Sequence, residues 1–255
     1  HWDVEIYDLP LNDPQYYFVL DTQFSEAFAH WLFESAIFLT EFEHLKIKYP
    51  NLKLLLRSKR TFKKLFLDAY DIDDYIFDNT DTHKDRNIIE QNNICIFPPF
   101  VSLNNKSPNM EFFDNQLNKF LSKLEIRECI KNIPVLIMPR QKKENFKPND
   151  RVVNFGNILN QGFQMLNTDN IKDIKDQINL IRRSKNIVLT YGSAFFVNGL
   201  FSKNSNIIVL GNWFNHHKAF PLLDNVYKRI LEINTIHILP PSNSYNFSQI
   251  KNRLI

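Results

Sequence analysis

The chain has 255 residues, 44% of them hydrophobic and 23% charged, which is enough apolar material for one large domain or two small ones and too much for a disordered chain. Its 31 basic and 28 acidic residues leave a net charge of only +3, and the basic residues are scattered, which argues against a nucleic-acid partner. Two cysteines, Cys95 and Cys129, supply neither a disulfide scaffold nor a zinc site.

In chain order, the apolar run 16–21 (YYFVLD) reads as a short buried strand. Helical spacing predicts one long helix from about Phe24 to Lys48, capped by Ser25 and stopped at Tyr49-Pro50. LKLLL at 52–56 is a strand, 60–69 a basic amphipathic segment, and YIFD at 75–78 and ICIF at 94–97 are strands. Residues 79–93 and 100–110 read as loop, and 111–130 as helix.

The second half is more regular. PVLIM (134–138) is a strand, followed by a polar loop and a helix over 151–161 that Gly162 ends. FQML (163–166) is a strand, 171–184 a helix, and NIVLT (186–190) a strand that runs into Tyr191-Gly192-Ser193. A helix at 194–202, the strand NIIVLG (206–211), a helix at 220–232 and the strand TIHIL (235–239) complete the pattern. Strands alternating with helices at this spacing mean parallel βαβ units with right-handed crossovers. The expected fold is α/β with two Rossmann-like domains, 1–130 and 131–255. The boundary falls near 128–134, and the tail 240–255 is expected to return to the first domain. No run of about 18 apolar residues is present, so no transmembrane helix is encoded. No secretory leader is visible in a chain that starts at His1. A soluble domain is expected, cytoplasmic in preference to luminal.

Several residues suggest chemistry. Tyr191, Gly192 and Ser193 stand where a strand ends and a helix begins, the usual ligand end of an open α/β sheet. The free N–H groups of that helix suit a phosphate, and Gly192 permits close backbone approach. A plain βα turn explains the same residues. Arg140 follows the strand PVLIM and could fork onto a diphosphate, as could Arg151. Both also read as solvated surface arginines. His30 and Glu34, at i and i+4, share one face of an otherwise apolar helix, as a core pair or as a proton-handling pair. Asp71 and Asp73 have the Asp-x-Asp spacing of a divalent-metal site but follow a helix. His216 and His217 are adjacent and point apart, which makes a poor paired ligand.

These pieces occur in one order. The chain reads VLIMPR, NDRVVN, QGF and then DIKDQINLIRRSKNIVLTYGSAFFVNGLF. This stretch, Val135 to Phe201, resembles the C-terminal half of glycosyltransferase family 61 (the DUF563 domain). Arg140, Arg151, Asn154, Gly162, Gln177, Gly192, Asn198 and Phe201 fall on matching positions. Upstream, FAHWLFES resembles the family's Gly-His-Trp helix, with His30, Trp31 and Glu34 in register. The chain departs from the family at Tyr191, where His is usual, at Ser193, where Ala is usual, and at Ala29, where Gly is usual.

The resemblance implies a GT-B type fold with a central cleft and inverting transfer from a UDP-sugar, xylose or N-acetylglucosamine, to a hydroxyl of a glycan or glycoprotein. It implies no metal or other cofactor. Arg140, Arg151, Asn154, Tyr191, Gly192, Ser193 and Asn198 would bind the donor. His30 and Glu34 would be the base candidates. Two alternatives remain at this stage: a metal-dependent GT-A transferase using Asp71 and Asp73, and a catalytically degenerate nucleotide- or glycan-binding module, which Tyr191 motivates.

Overall fold

The computed structural model describes residues 16–21, 28–56, 60–77, 94–96, 110–126, 129–138, 158, 161–167, 172–211, 218, 221–240 and 245–255. They form an α/β protein with two sheets, each wholly parallel.

The first sheet contains β1 (Tyr16–Val19), β2 (Lys53–Leu56), β3 (Tyr75–Phe77) and β4 (Ile94–Ile96), in the order β3-β2-β1-β4. The second contains β5 (Ile133–Met138), β6 (Gln164–Met165), β7 (Ser184–Thr190), β8 (Asn206–Leu210) and β9 (Thr235–Leu239), in the order β6-β5-β7-β8-β9. Counted within the second half, that order is 2-1-3-4-5, a doubly wound arrangement. The chain direction reverses at β1 in the first sheet and at β5 in the second. Two crevices are therefore available at carboxyl edges, between β1 and β4 and between β5 and β7. At the second crevice Met138 of β5 is in register with Leu189 of β7.

The helices follow their apolar stripes. Helix α4 (Met110–Lys123) buries Phe113, Leu117 and Phe120 at i, i+4 and i+7. Helix α5 (Ile174–Arg183) buries Ile174, Ile178 and Ile181 at the same spacing. Asp173 caps α5 by accepting from the Lys175 N–H, and Arg182 and Arg183 lie in its last turn, where the helix dipole favours cations. Helix α7 (Pro221–Ile233) buries Leu222, Val226 and Ile230. Helix α6 (Ser193–Phe201) is buried from Phe195 to Phe201 on every side, because α5 and α7 pack beside it and α1 packs across it.

The expected long helix 24–48 is interrupted. Helix α1 (Phe28–Glu34) ends at Ser35, whose backbone (φ −135°, ψ −66°) leaves helical space. A single 3-10 turn, Ala36–Phe38, leads into α2 (Leu39–Lys48). Residues 29 and 31–39 are all buried. A straight helix presents one stripe, so a segment apolar on all faces bends to bury them all. The expected cap Ser25 lies outside the described residues, as does most of the expected helix 151–161. Helix α3 (Thr61–Ala69) takes up the basic segment as expected.

One apolar cluster runs through both halves, from Phe18 and Trp31 to Phe201 and Ile230. Phe120 of α4 stacks on Phe201 of α6 at 6.5 Å, and α3 packs on α5. A second cluster covers the far face of the second sheet. There Tyr245 and Ile250 pack on Val188, Ile208 and Leu239. The sequence permits the tail to return to the first domain; its described residues, 245–255, pack on the second sheet. The reason is polar as well as apolar. The Asn186 side chain accepts from the Ile255 N–H and donates to the Ile255 carbonyl, both at 3.0 Å. Helix α8 (Phe247–Lys251) opens with a capping box, Asn246 with Gln249.

Candidate functional site

The carboxyl edge of β7 carries the turn singled out in the sequence. Tyr191 continues the ladder through its N–H to the Leu210 carbonyl at 3.2 Å. Gly192 then adopts φ 116°, ψ −149°, a conformation that essentially only glycine takes. A Cβ built there would meet nothing within 4 Å. The glycine is therefore required by the backbone, while the space above it is open. Helix α6 begins at the next residue, so the N–H groups of its first turn have no intrahelical partner. Thr190, the last residue of β7, is 1% exposed, and its hydroxyl has no hydrogen-bond partner among the described residues. Ser193 is half-buried at the first helical position.

Two other expected donor residues have other duties. Tyr191 is buried, stacked on Phe195 at 5.7 Å and edge-on to Phe196 at 5.6 Å. Its ring belongs to the apolar cluster between the sheets rather than to an open platform for a base. Asn198 is also buried. It accepts from Gln177 Nε2 at 2.8 Å and donates to the Ala194 carbonyl at 2.6 Å. This amide pair joins α5 to α6, so Asn198 and Gln177 hold the helix that carries Gly192 rather than reaching a ligand. Arg140, Arg151 and Asn154 lie outside the described residues, as do His216 and His217.

In the first half, His30 Nδ1 lies 3.2 Å from Glu34 Oε2. The side chains are 28% and 3% exposed respectively, so the imidazole reaches solvent and the carboxylate does not. In the tautomer with hydrogen on Nδ1, His30 donates to the Glu34 carboxylate.

Beside this pair is a group that sequence reasoning missed. Asp21, just past β1, accepts from the indole N–H of Trp31 at 3.0 Å and from Lys63 Nζ at 2.7 Å. The Asp21 and Lys63 side chains are fully buried. The strand reading ended in aspartate, and an acidic residue at the end of a buried strand was the available signal. Lys63 carried none, because it stands in a segment rich in solvated lysines.

Asp71 and Asp73 sit elsewhere. Both are exposed in the turn that precedes β3, with Asp71 at φ 55°, and the neighbouring Asp74 pairs with Lys46. Residues just before a parallel strand lie at the amino edge of the sheet, opposite the edge where ligands bind. The metal-dependent alternative that relied on them is therefore set aside. Among the described residues no three His, Cys, Asp or Glu side chains are gathered as a metal site. No described helix is long and apolar enough to cross a membrane.

Compared with protein-family models and with curated proteins, the chain matches none.

Proposed function

We propose that this chain is an inverting glycosyltransferase of the GT-B type, moving xylose or N-acetylglucosamine from a UDP-sugar to a hydroxyl of a glycan or glycoprotein without a metal. The observation that carries the reading is the β7–α6 turn. A glycine-only backbone, a helix N-terminus and a buried hydroxyl with no partner among the described residues meet at the switch point of a 2-1-3-4-5 sheet. That edge suits a diphosphate. The resemblance to glycosyltransferase family 61 supports the rest: Arg140 and Arg151, which follow β5 in the chain, would neutralise the leaving group. In this reading the donor cleft lies at the carboxyl edges, above the helices that join the two halves.

The reaction needs a base and a stabilised leaving group. The acceptor oxygen attacks the anomeric carbon as the bond from that carbon to the diphosphate oxygen breaks. His30 Nε2 takes the acceptor proton, and the electron pair of the broken bond leaves on UDP. Glu34 holds Nδ1–H and steadies the imidazolium that forms, the part a buried carboxylate plays behind a catalytic histidine. His30 is thus the base and Glu34 its orienting partner.

The test is UDP release from UDP-xylose and UDP-N-acetylglucosamine with EDTA present, alone and with glycan acceptors. Turnover is expected, and His30→Gln is expected to lower kcat by about 10²- to 10⁴-fold while UDP still raises Tm. No UDP release from any donor and no thermal shift with UDP would overturn the reading. A second reading has one observation in its favour: Tyr191 stands where the family has histidine, and its ring is buried among phenylalanines. UDP binding without turnover under every acceptor would favour a binding module.

A further inference from the structure

A buried ion pair is a poor source of stability, since apolar residues of similar volume fill the same space at least as well. The Asp21–Lys63 pair therefore calls for a reason beyond folding. Its geometry supplies one. The two carboxylate oxygens of Asp21 are divided between two helices: Oδ1 receives the Trp31 indole N–H of α1, and Oδ2 receives Lys63 Nζ of α3. Asp21 itself follows β1, the strand at which the first sheet changes direction. Three elements are thus pinned at one point on the ligand edge.

Trp31 is the residue next to His30 and lies one turn before Glu34. A single hydrogen bond at Trp31 fixes both the rotation of α1 about its axis and its advance along it. Trp31 packs otherwise on Phe62 at 5.9 Å and Phe66 at 4.9 Å, contacts that tolerate sliding more readily than a hydrogen bond does. We propose that Asp21 is a positioning residue: through Trp31, and held in turn by Lys63, it sets the direction in which the His30 imidazole faces. This inference rests on the reading of His30 as the base, and it adds residues that neither touch substrate nor accept its proton.

The test uses the full chain in three forms, Trp31→Phe, Asp21→Asn and the apolar pair Asp21→Leu with Lys63→Met. Trp31→Phe removes the indole donor and keeps a smaller aromatic ring in its place, so it remains informative if an aspartate variant does not fold, and the apolar pair, which keeps Trp31, controls for the lost ring volume. Two readouts are taken. The first is kcat and donor KM, where a loss in kcat of about 100-fold is expected with KM nearly unchanged, the pattern of a displaced catalytic group. The second is the ring resonances of His30 by NMR and their contacts with Glu34, which are expected to move in every folded variant. Folded Trp31→Phe and the apolar pair with wild-type His30 resonances would overturn the inference, whatever the activity. Moved resonances in the variants, with a wild type that transfers no sugar, would uphold the positioning geometry and overturn the function assigned to His30. Wild-type kcat in variants with moved resonances would also overturn it, because the direction of His30 would then have no consequence.

Discussion

The two sheets present their ligand edges in opposite ways. The first brings side chains: a buried carboxylate and ammonium at the end of β1, with a histidine and a glutamate on the helix beside them. The second brings backbone: a glycine turn and the amides of a helix whose described body is apolar. Apart from Thr190, the buried polar side chains of its strands gather at the amino edge, where Asn186 and Asn206 bond to each other and to the tail, and Lys131 donates to Ser205 Oγ and the Ser184 carbonyl. Under the proposed function, the contrast would be a division of labour. Proton transfer needs groups that titrate, whereas gripping an anion needs dipoles that do not.

Four substitutions test that contrast, beginning with the largest effect. Lys63→Met takes a fully buried ammonium away from the Asp21 carboxylate and is expected to cost about 3–5 kcal/mol in urea unfolding. Adding Asp21→Leu should restore most of it. If the single variant is as stable as wild type, the first edge is not built on charge. Gln177→Leu strands Asn198 Oδ1 between two helices and is expected to cost about 1–3 kcal/mol, less than the charged case because only a neutral amide is orphaned. Gly192→Ala adds a methyl into open space, so its expected loss of about 1–2 kcal/mol comes from backbone strain alone. UDP should also raise its Tm less than that of wild type.

The smallest effect is on pH dependence. Burial, with a smaller contribution from the nearby Arg182, pushes the Lys131 ammonium down from its ordinary 10.5 to about 8. Between those values the unfolded chain binds the proton that the folded chain has lost. Stability should therefore rise with pH over that window, and the rise should be missing in Lys131→Met when the two are compared by urea titration.

Most of the strands were legible because parallel strands covered on both faces read as unbroken apolar runs, as in NIIVLG and PVLIM. The Gly192 turn was legible for the same reason, since it follows such a run directly. Strand order was not, because parallel neighbours are joined by crossovers that a sequence does not aim. The bend at Ser35 was hidden because burial on all sides, not a proline or glycine, causes it. The roles of Asn198 and Tyr191 depend on which way each faces around a helix start, and a motif match carries no direction. The Asp21–Lys63 contact spans 42 positions, beyond the reach of any local pattern.

The stacking of Phe120 on Phe201 has a mechanical consequence. The two halves are welded through one hydrocarbon mass, so hinging them apart would expose that mass to water. They should melt in a single calorimetric endotherm.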